Sequence, residues 1–153
     1  MNRLEVFSSK NKGYIYEDVN GTIKYTGRYV GYKQNVNGVV YTTVDNTAIR
    51  QMNPDTDDYT TICTTLVTDL SLVFKNTSFN QDISGWDVSN VSSFEQSFLR
   101  SNLNQPIGLW DMSSAIDINN MLGGTPFNQD ISGWNVSSVT NLSGFLKNTP
   151  FNQ

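Results

Sequence analysis

The chain reads as an α+β protein dominated by repeats: a small N-terminal antiparallel β-module followed by a short solenoid of strand-turn-helix coils. Three observations predict this. A phrase recurs at a fixed spacing of 24 in the second half of the 153-residue chain. Two Asn-Gly pairs lie between β-prone runs near the start. Charged residues make up only 16% of the chain and Asn, Ser and Thr fill the gap, which suits the thin core of a stacked array.

In chain order, residues 1–54 form the β-module. Residues 4–7 read as a first strand. Tyr14-Ile15-Tyr16 and Thr22-Ile23-Lys24-Tyr25 flank Asn20-Gly21, a strong hairpin signal, and residues 29–33 and 39–43 flank Asn37-Gly38, a second one. The expectation is one antiparallel sheet of four or five strands. So few residues bury little apolar surface alone, so the sheet should lean on the repeats or on another chain. Six of the seven Tyr residues lie here, with seven Lys/Arg against four acids. The rest of the chain holds three basic residues against ten acids. Such asymmetry can orient a module on an oppositely charged scaffold, which makes 1–54 a candidate anchor.

Asn53-Pro54-Asp55 is a turn signal and marks a boundary. Residues 55–78 fit the 24-residue frame loosely, with Tyr59, Ile62, Val67, Leu70 and Phe74 at its apolar positions. They read as a degenerate capping repeat, with Asp57, Asp58 and the Thr-rich run on the wet side.

Residues 79–153 hold three full copies and the start of a fourth: FNQDISGWDVSNV from Phe79, LNQPIGLWDMSSA from Leu103, FNQDISGWNVSSV from Phe127, then Phe151-Asn152-Gln153. The predicted core is Ile83, Trp86 and Val88, then Ile107, Trp110 and Met112, then Ile131, Trp134 and Val136. Trp and the residue two later alternate with a polar residue, as in a strand with one buried face, so Asp87, Asp111 and Asn135 line a candidate binding face. Apolar gaps of three and four follow (Phe94 and Phe98; Ile118, Met121 and Leu122; Leu142, Phe145 and Leu146), which predicts a short helix. The Trp column is either buried or an exposed stacking ladder. The Asn and Gln columns read as structural ladders. The middle copy departs from the pattern at Pro106, Leu109 and Ala115.

These repeats resemble the BspA-like leucine-rich-repeat surface proteins, closely over 79–153 and weakly before it. The resemblance implies a leucine-rich-repeat solenoid, surface display and binding, as in bacterial cell-surface adhesins and in similar protist and viral proteins.

The chain has no His, which removes the commonest general base and zinc ligand, and Cys63 is alone, so no internal disulfide or cysteine cluster forms. The recurrent acids Asp82, Asp87, Asp111 and Asp130 fall in repeat register, a ladder and not the facing pair that glycoside hydrolysis needs. The expectation is therefore no catalytic residue, no cofactor and no metal. No apolar run is long enough to cross a membrane, and the first residues lack the apolar run of a secretory signal. These features predict a non-catalytic structural or adhesive module on a virion surface, as a decoration or fibre-like protein; the alternative is a fragment of a bacterial cell-surface adhesin that binds host protein or glycan. The expected partner is a protein scaffold (capsid, tail or cell envelope) or a glycan, with no nucleic acid and no membrane insertion. The apolar layer at the C-terminal end, covered only by Phe151, is expected to be sticky and is a route to a homo-oligomer.

Overall fold

A computed structural model describes residues 12–153. The strand expected at 4–7 lies outside the described residues.

The first hairpin pairs β1 (Ile15–Glu17) with β2 (Ile23–Tyr25) in antiparallel register, Ile15 opposite Tyr25. Its tip is closed by Asp18, whose carboxylate accepts the N–H groups of Asn20 and Thr22 at 2.9 and 3.0 Å. The second pairs β3 (Lys33–Val36) with β4 (Val39–Asp45) around Asn37-Gly38. Both turn residues have positive φ, 52° and 92°, the mirror-image two-residue turn that matches strand twist and that Asn-Gly favours.

Where the sequence predicts one antiparallel sheet, the structure holds two. β1 and β2 form a sheet of their own, while β4 also pairs, in parallel, with β5 (Ile62–Leu66). Parallel pairing needs a crossover, and α1 (Asn46–Gln51) lies within it. Asp45 caps α1 by accepting from the N–H groups of Thr47 and Ala48, and Ile49 anchors it in the core.

The larger correction concerns the repeats. The solenoid of strand-turn-helix coils does not form: the described chain contains two small sheets and one six-residue helix, and residues 79–153 contain neither a strand nor a helix. The backbone hydrogen bonds give the reason. In the stretch read as helical, every second N–H points to the next unit, where an α-helix would turn it back four residues. Phe94, Gln96, Phe98 and Arg100 donate to the carbonyls of Asp117, Asn119, Met121 and Gly123 at 2.8–3.0 Å, and Ile118, Asn120, Leu122 and Gly124 repeat this toward Asn141, Ser143, Phe145 and Lys147. The N–H groups of Ser97, Leu99 and Ser101 close four-residue turns onto the carbonyls of Phe94, Gln96 and Phe98. Positive φ recurs every fourth residue, at Leu72 and Asn76, Gln96 and Arg100, Asn120 and Gly124, Gly144 and Asn148. A chain of four-residue turns thus reproduces the apolar spacing of a helix without forming one. Isolated parallel bridges Asp69–Ser93, Ser93–Asp117 and Asp117–Asn141 hold successive units in register.

One continuous apolar cluster runs from Val44 and Ile49 through Phe74, Phe98 and Met121 to Trp134. A second joins Ile15, Ile23 and Tyr25 to Cys63 of β5, and so seats the first hairpin beside the repeats.

Candidate binding face

The side chains that recur in the repeat are held mostly by one another. Each indole N–H donates to a carbonyl 27 residues earlier: Trp86 to Tyr59, Trp110 to Ile83 and Trp134 to Ile107, at 3.0, 3.1 and 2.9 Å. The Trp column is buried, with exposures of 3%, 3% and 9%, and the rings of Trp86 and Trp110 are parallel at 6.3 Å. Asn side chains form a second ladder, in which Asn80, Asn104 and Asn128 accept from the main-chain N–H of Asn104, Asn128 and Asn152 at 2.8–3.1 Å. The amides of Gln105, Gln129 and Gln153 donate to the same column.

The acids close local turns. Asp82, Asp111 and Asp130 accept from the N–H of Ser84, Ser113 and Ser132, and Asn135 from that of Ser137, at 2.8–3.1 Å. Hydrogen bonds from the serine hydroxyl and N–H hold Asp82 and Asp111 below the usual carboxylate range. Asp130 is likewise lowered, chiefly by the N–H of Ser132.

Of the predicted core residues, Ile83, Trp86, Val88, Ile107, Trp110, Met112 and Trp134 are buried, and Ile131 is partly so. Val136 is 45% exposed and stands outside the apolar cluster that holds Val88 and Met112, so among the described residues it is not a core residue. Asp87, Asp111 and Asn135 do not form one open face. Asp111 and Asn135 are exposed, but Asp87 is buried. The first hairpin and β5 cover it: the N–H of Ile23 donates to Gly85 at 2.8 Å, Ile23 bridges Trp86, and the hydroxyl of Thr65 on β5 donates to the Asp87 carboxylate at 2.7 Å. Lys24 arrives on the same strand. Burial alone would lower its ammonium, but the carboxylates of Asp87 and Asp18 outweigh this and hold it above its ordinary value.

Two surface features escaped the sequence. The departures of the middle copy, Pro106 and Leu109, line an open groove of about 610 Å³ with Gly108, Gln129, Asp130 and Ser132, and Leu109 is 73% exposed. Gly108 is required there, since a Cβ would meet the carbonyl of Asp130 at 2.3 Å. The clue was Leu109, an apolar residue where the other copies have Gly85 and Gly133. A second cleft, about 340 Å³, lies between hairpin and repeats, with Ile23, Ile62 and Trp86 among its lining and Glu17, Tyr41 and Asp82 also on it. Burial, with Glu17 nearby, raises the Tyr41 hydroxyl above its ordinary value. Among the described residues no helix is long and apolar enough to cross a membrane.

Residues 42–153 match the model of a family described as Mycoplasma protein of unknown function, DUF285. The chain belongs to this family, a membership compatible with a surface repeat protein. No curated protein and no solved structure matches the chain.

Proposed function

We propose that the chain is a non-catalytic structural or adhesive module displayed on a cell surface, where its exposed repeat edge binds host protein or glycan. The observation that carries this reading is the engagement of the repeat's polar side chains, Asp111 and Asn135 included, in its own ladders and turns, while Leu109 and Pro106 stand exposed to solvent. The groove beside Leu109 combines an apolar patch with carboxylate, amide and hydroxyl groups, the mixture that a protein or sugar surface requires. The N-terminal hairpins and the residues flanking their strands, with exposed Tyr14, Tyr16 and Tyr29, supply the anchoring surface. Family membership favours the cell-surface reading over the virion.

The test labels intact source cells with an antibody to the chain and measures binding of the purified chain to panels of extracellular proteins and glycans. Labelling without permeabilisation, with panel binding that Leu109→Glu weakens at least about tenfold, supports the proposal. Labelling only after permeabilisation overturns surface display, and binding indifferent to Leu109→Glu overturns the groove.

A further inference from the structure

Gly123-Gly124 interrupts a column of side chains. At the same two places in the unit, the other turns carry Lys75-Asn76, Leu99-Arg100 and Lys147-Asn148. The second residue of each pair holds positive φ, 58° at Asn76, 57° at Arg100, 69° at Gly124 and 59° at Asn148, so the backbone repeats and only the side chains are missing. The layers stack directly here: the N–H of Arg100 donates to Gly123 and that of Gly124 to Lys147, each at 2.8 Å. A gap therefore opens between two filled layers, whose main chains stand about 10 Å apart at the ordinary spacing of paired strands. It is a notch of about 220 Å³, with Arg100 on one wall, Lys147 on the other, and Gln96, Asn120 and Asn148 also along it.

The positive charge of the repeats is gathered on this column. Lys75, Arg100 and Lys147 are the basic residues of 55–153, where ten acids are present to pair with them. Arg100 and Lys147 are exposed, and among the described residues neither meets a carboxylate at ion-pair distance. The acids of the neighbouring turns are held by other groups. Asp69 pairs with Arg50, Asp117 accepts from Asn119 and Asn141, and Glu95 accepts from the Gln96 amide at 3.2 Å. Lys75 is also engaged, donating to Gln96 at 2.8 Å. Two unpaired cations facing one gap repel each other, and packing gives no reason to set them there.

We propose that this notch binds the sulfate ester of a saccharide. A guanidinium fork on one wall and an ammonium on the other reach an anion from opposite sides, which suits a tetrahedral group with three free oxygens better than a planar carboxylate. The amides of Asn120 and Asn148 both donate and accept, as the hydroxyls of a sugar ring require. Among the described residues of the lining, Leu99 alone is aliphatic, so the notch lacks the apolar pocket that anchors a peptide. It shares no lining residue with the groove beside Leu109 and is a second, separate site.

The probe is a heparin-derived tetrasaccharide, titrated calorimetrically into the full chain at low ionic strength. The same sugar stripped of its sulfates, inorganic sulfate and a phosphoserine peptide are titrated beside it. Binding of the tetrasaccharide should saturate with a half-point below about 1 mM. Desulfation should weaken it at least about tenfold, and Arg100→Gln and Lys147→Gln, separately, at least about fivefold each. Gln suits the backbone at Arg100, since Gln96 holds a φ of 53° in the same chain of turns. Gly124→Asn puts back the residue of the Asn76 and Asn148 layers and should also weaken binding by filling the notch; its Cβ meets only the flexible Arg100 stem closely, at 3.2 Å. Lys33→Gln, the same loss of charge on β3, should leave binding within about twofold. The proposal is overturned if Lys33→Gln weakens binding as much as the notch variants, which would make the attraction diffuse. It is overturned equally if inorganic sulfate binds as tightly as the sugar, if the phosphopeptide binds more tightly, if Leu109→Glu abolishes binding, or if no saccharide binds. Antibody labelling of intact cells is an independent readout, so surface display is judged apart from this site.

Discussion

Trp110 concentrates the logic of the repeat in one side chain. Its ring lies between Trp86 and Phe98, and its N–H reaches back to Ile83, so it supplies both packing and a donor to the unit before it. Trp110→Ala should destabilise the chain by about 3–5 kcal/mol, read as a lowered urea midpoint. Trp110→Phe keeps an aromatic ring but leaves the Ile83 carbonyl with only the N–H of Trp86, and should cost about 1 kcal/mol. A Phe variant as stable as the parent would show that the indole donor contributes nothing. The sequence made this residue legible, because a Trp at a fixed spacing of 24 in three copies needs a common environment. It did not make Val136 legible. Val136 holds the same place in the repeat as Val88, two residues after a Trp and one before a Ser, yet is 45% exposed where Val88 is 1%, a difference that the local apolar pattern does not record.

At the scale of elements, Arg50 links α1 to the first unit, and its removal tests whether α1 is a cap. Arg50→Ala deletes the donors to Asp69 and Ser71 and the ion pair with Asp69 at 3.3 Å, all partly open to water, so the expected loss is about 1 kcal/mol in chemical denaturation. Arg50→Lys should restore less than half of it, because one ammonium cannot span two carbonyls as the guanidinium fork does. Full rescue by Lys would reduce the contact to simple charge. The hairpins were legible because Asn-Gly specifies its turn by a steric rule, and Asn37 and Gly38 obey it. α1 was not legible: six residues with a single buried side chain, Ile49, show no periodicity, and the capping Asp45 also ends a strand. The predicted repeat helices failed for a different reason. A four-residue spacing arises equally from α-helical turns and from linked turns with positive φ at every fourth residue, and the choice depends on whether the N–H finds a partner within its own unit or in the next. That partner lies 23 residues away, beyond the reach of any helical pattern.

The molecule as a whole resolves into stacked layers whose junctions are bridged by backbone pairs, Trp and Asn ladders, with carboxylates closing turns along the edges. This predicts how stability responds to acid. Asp82 and Asp111 titrate below their ordinary value in the folded chain, because Ser84 and Ser113 hydrogen-bond the ionised form; in the unfolded chain they return to about 3.9. Groups lowered by folding contribute stability above the unfolded pKa and lose it as pH falls through the folded one. Stability should therefore be level above about pH 5 and decline between roughly pH 4 and 3. Each site is solvated, so each share is small and the effect is collective. The third copy supplies the control: Asn135 accepts from Ser137 at 3.1 Å with no charge, which shows that an amide satisfies the same turn. The double variant Asp82→Asn, Asp111→Asn should accordingly fold at neutral pH with a midpoint near that of the parent and lose less of it at pH 3. Urea denaturation of both proteins across that range decides the point. An equal acid decline in the two would assign the pH dependence to other carboxylates and leave these turns neutral in it, while failure of the variant to fold at pH 7 would mean that the charge, and not the acceptor, holds the turn.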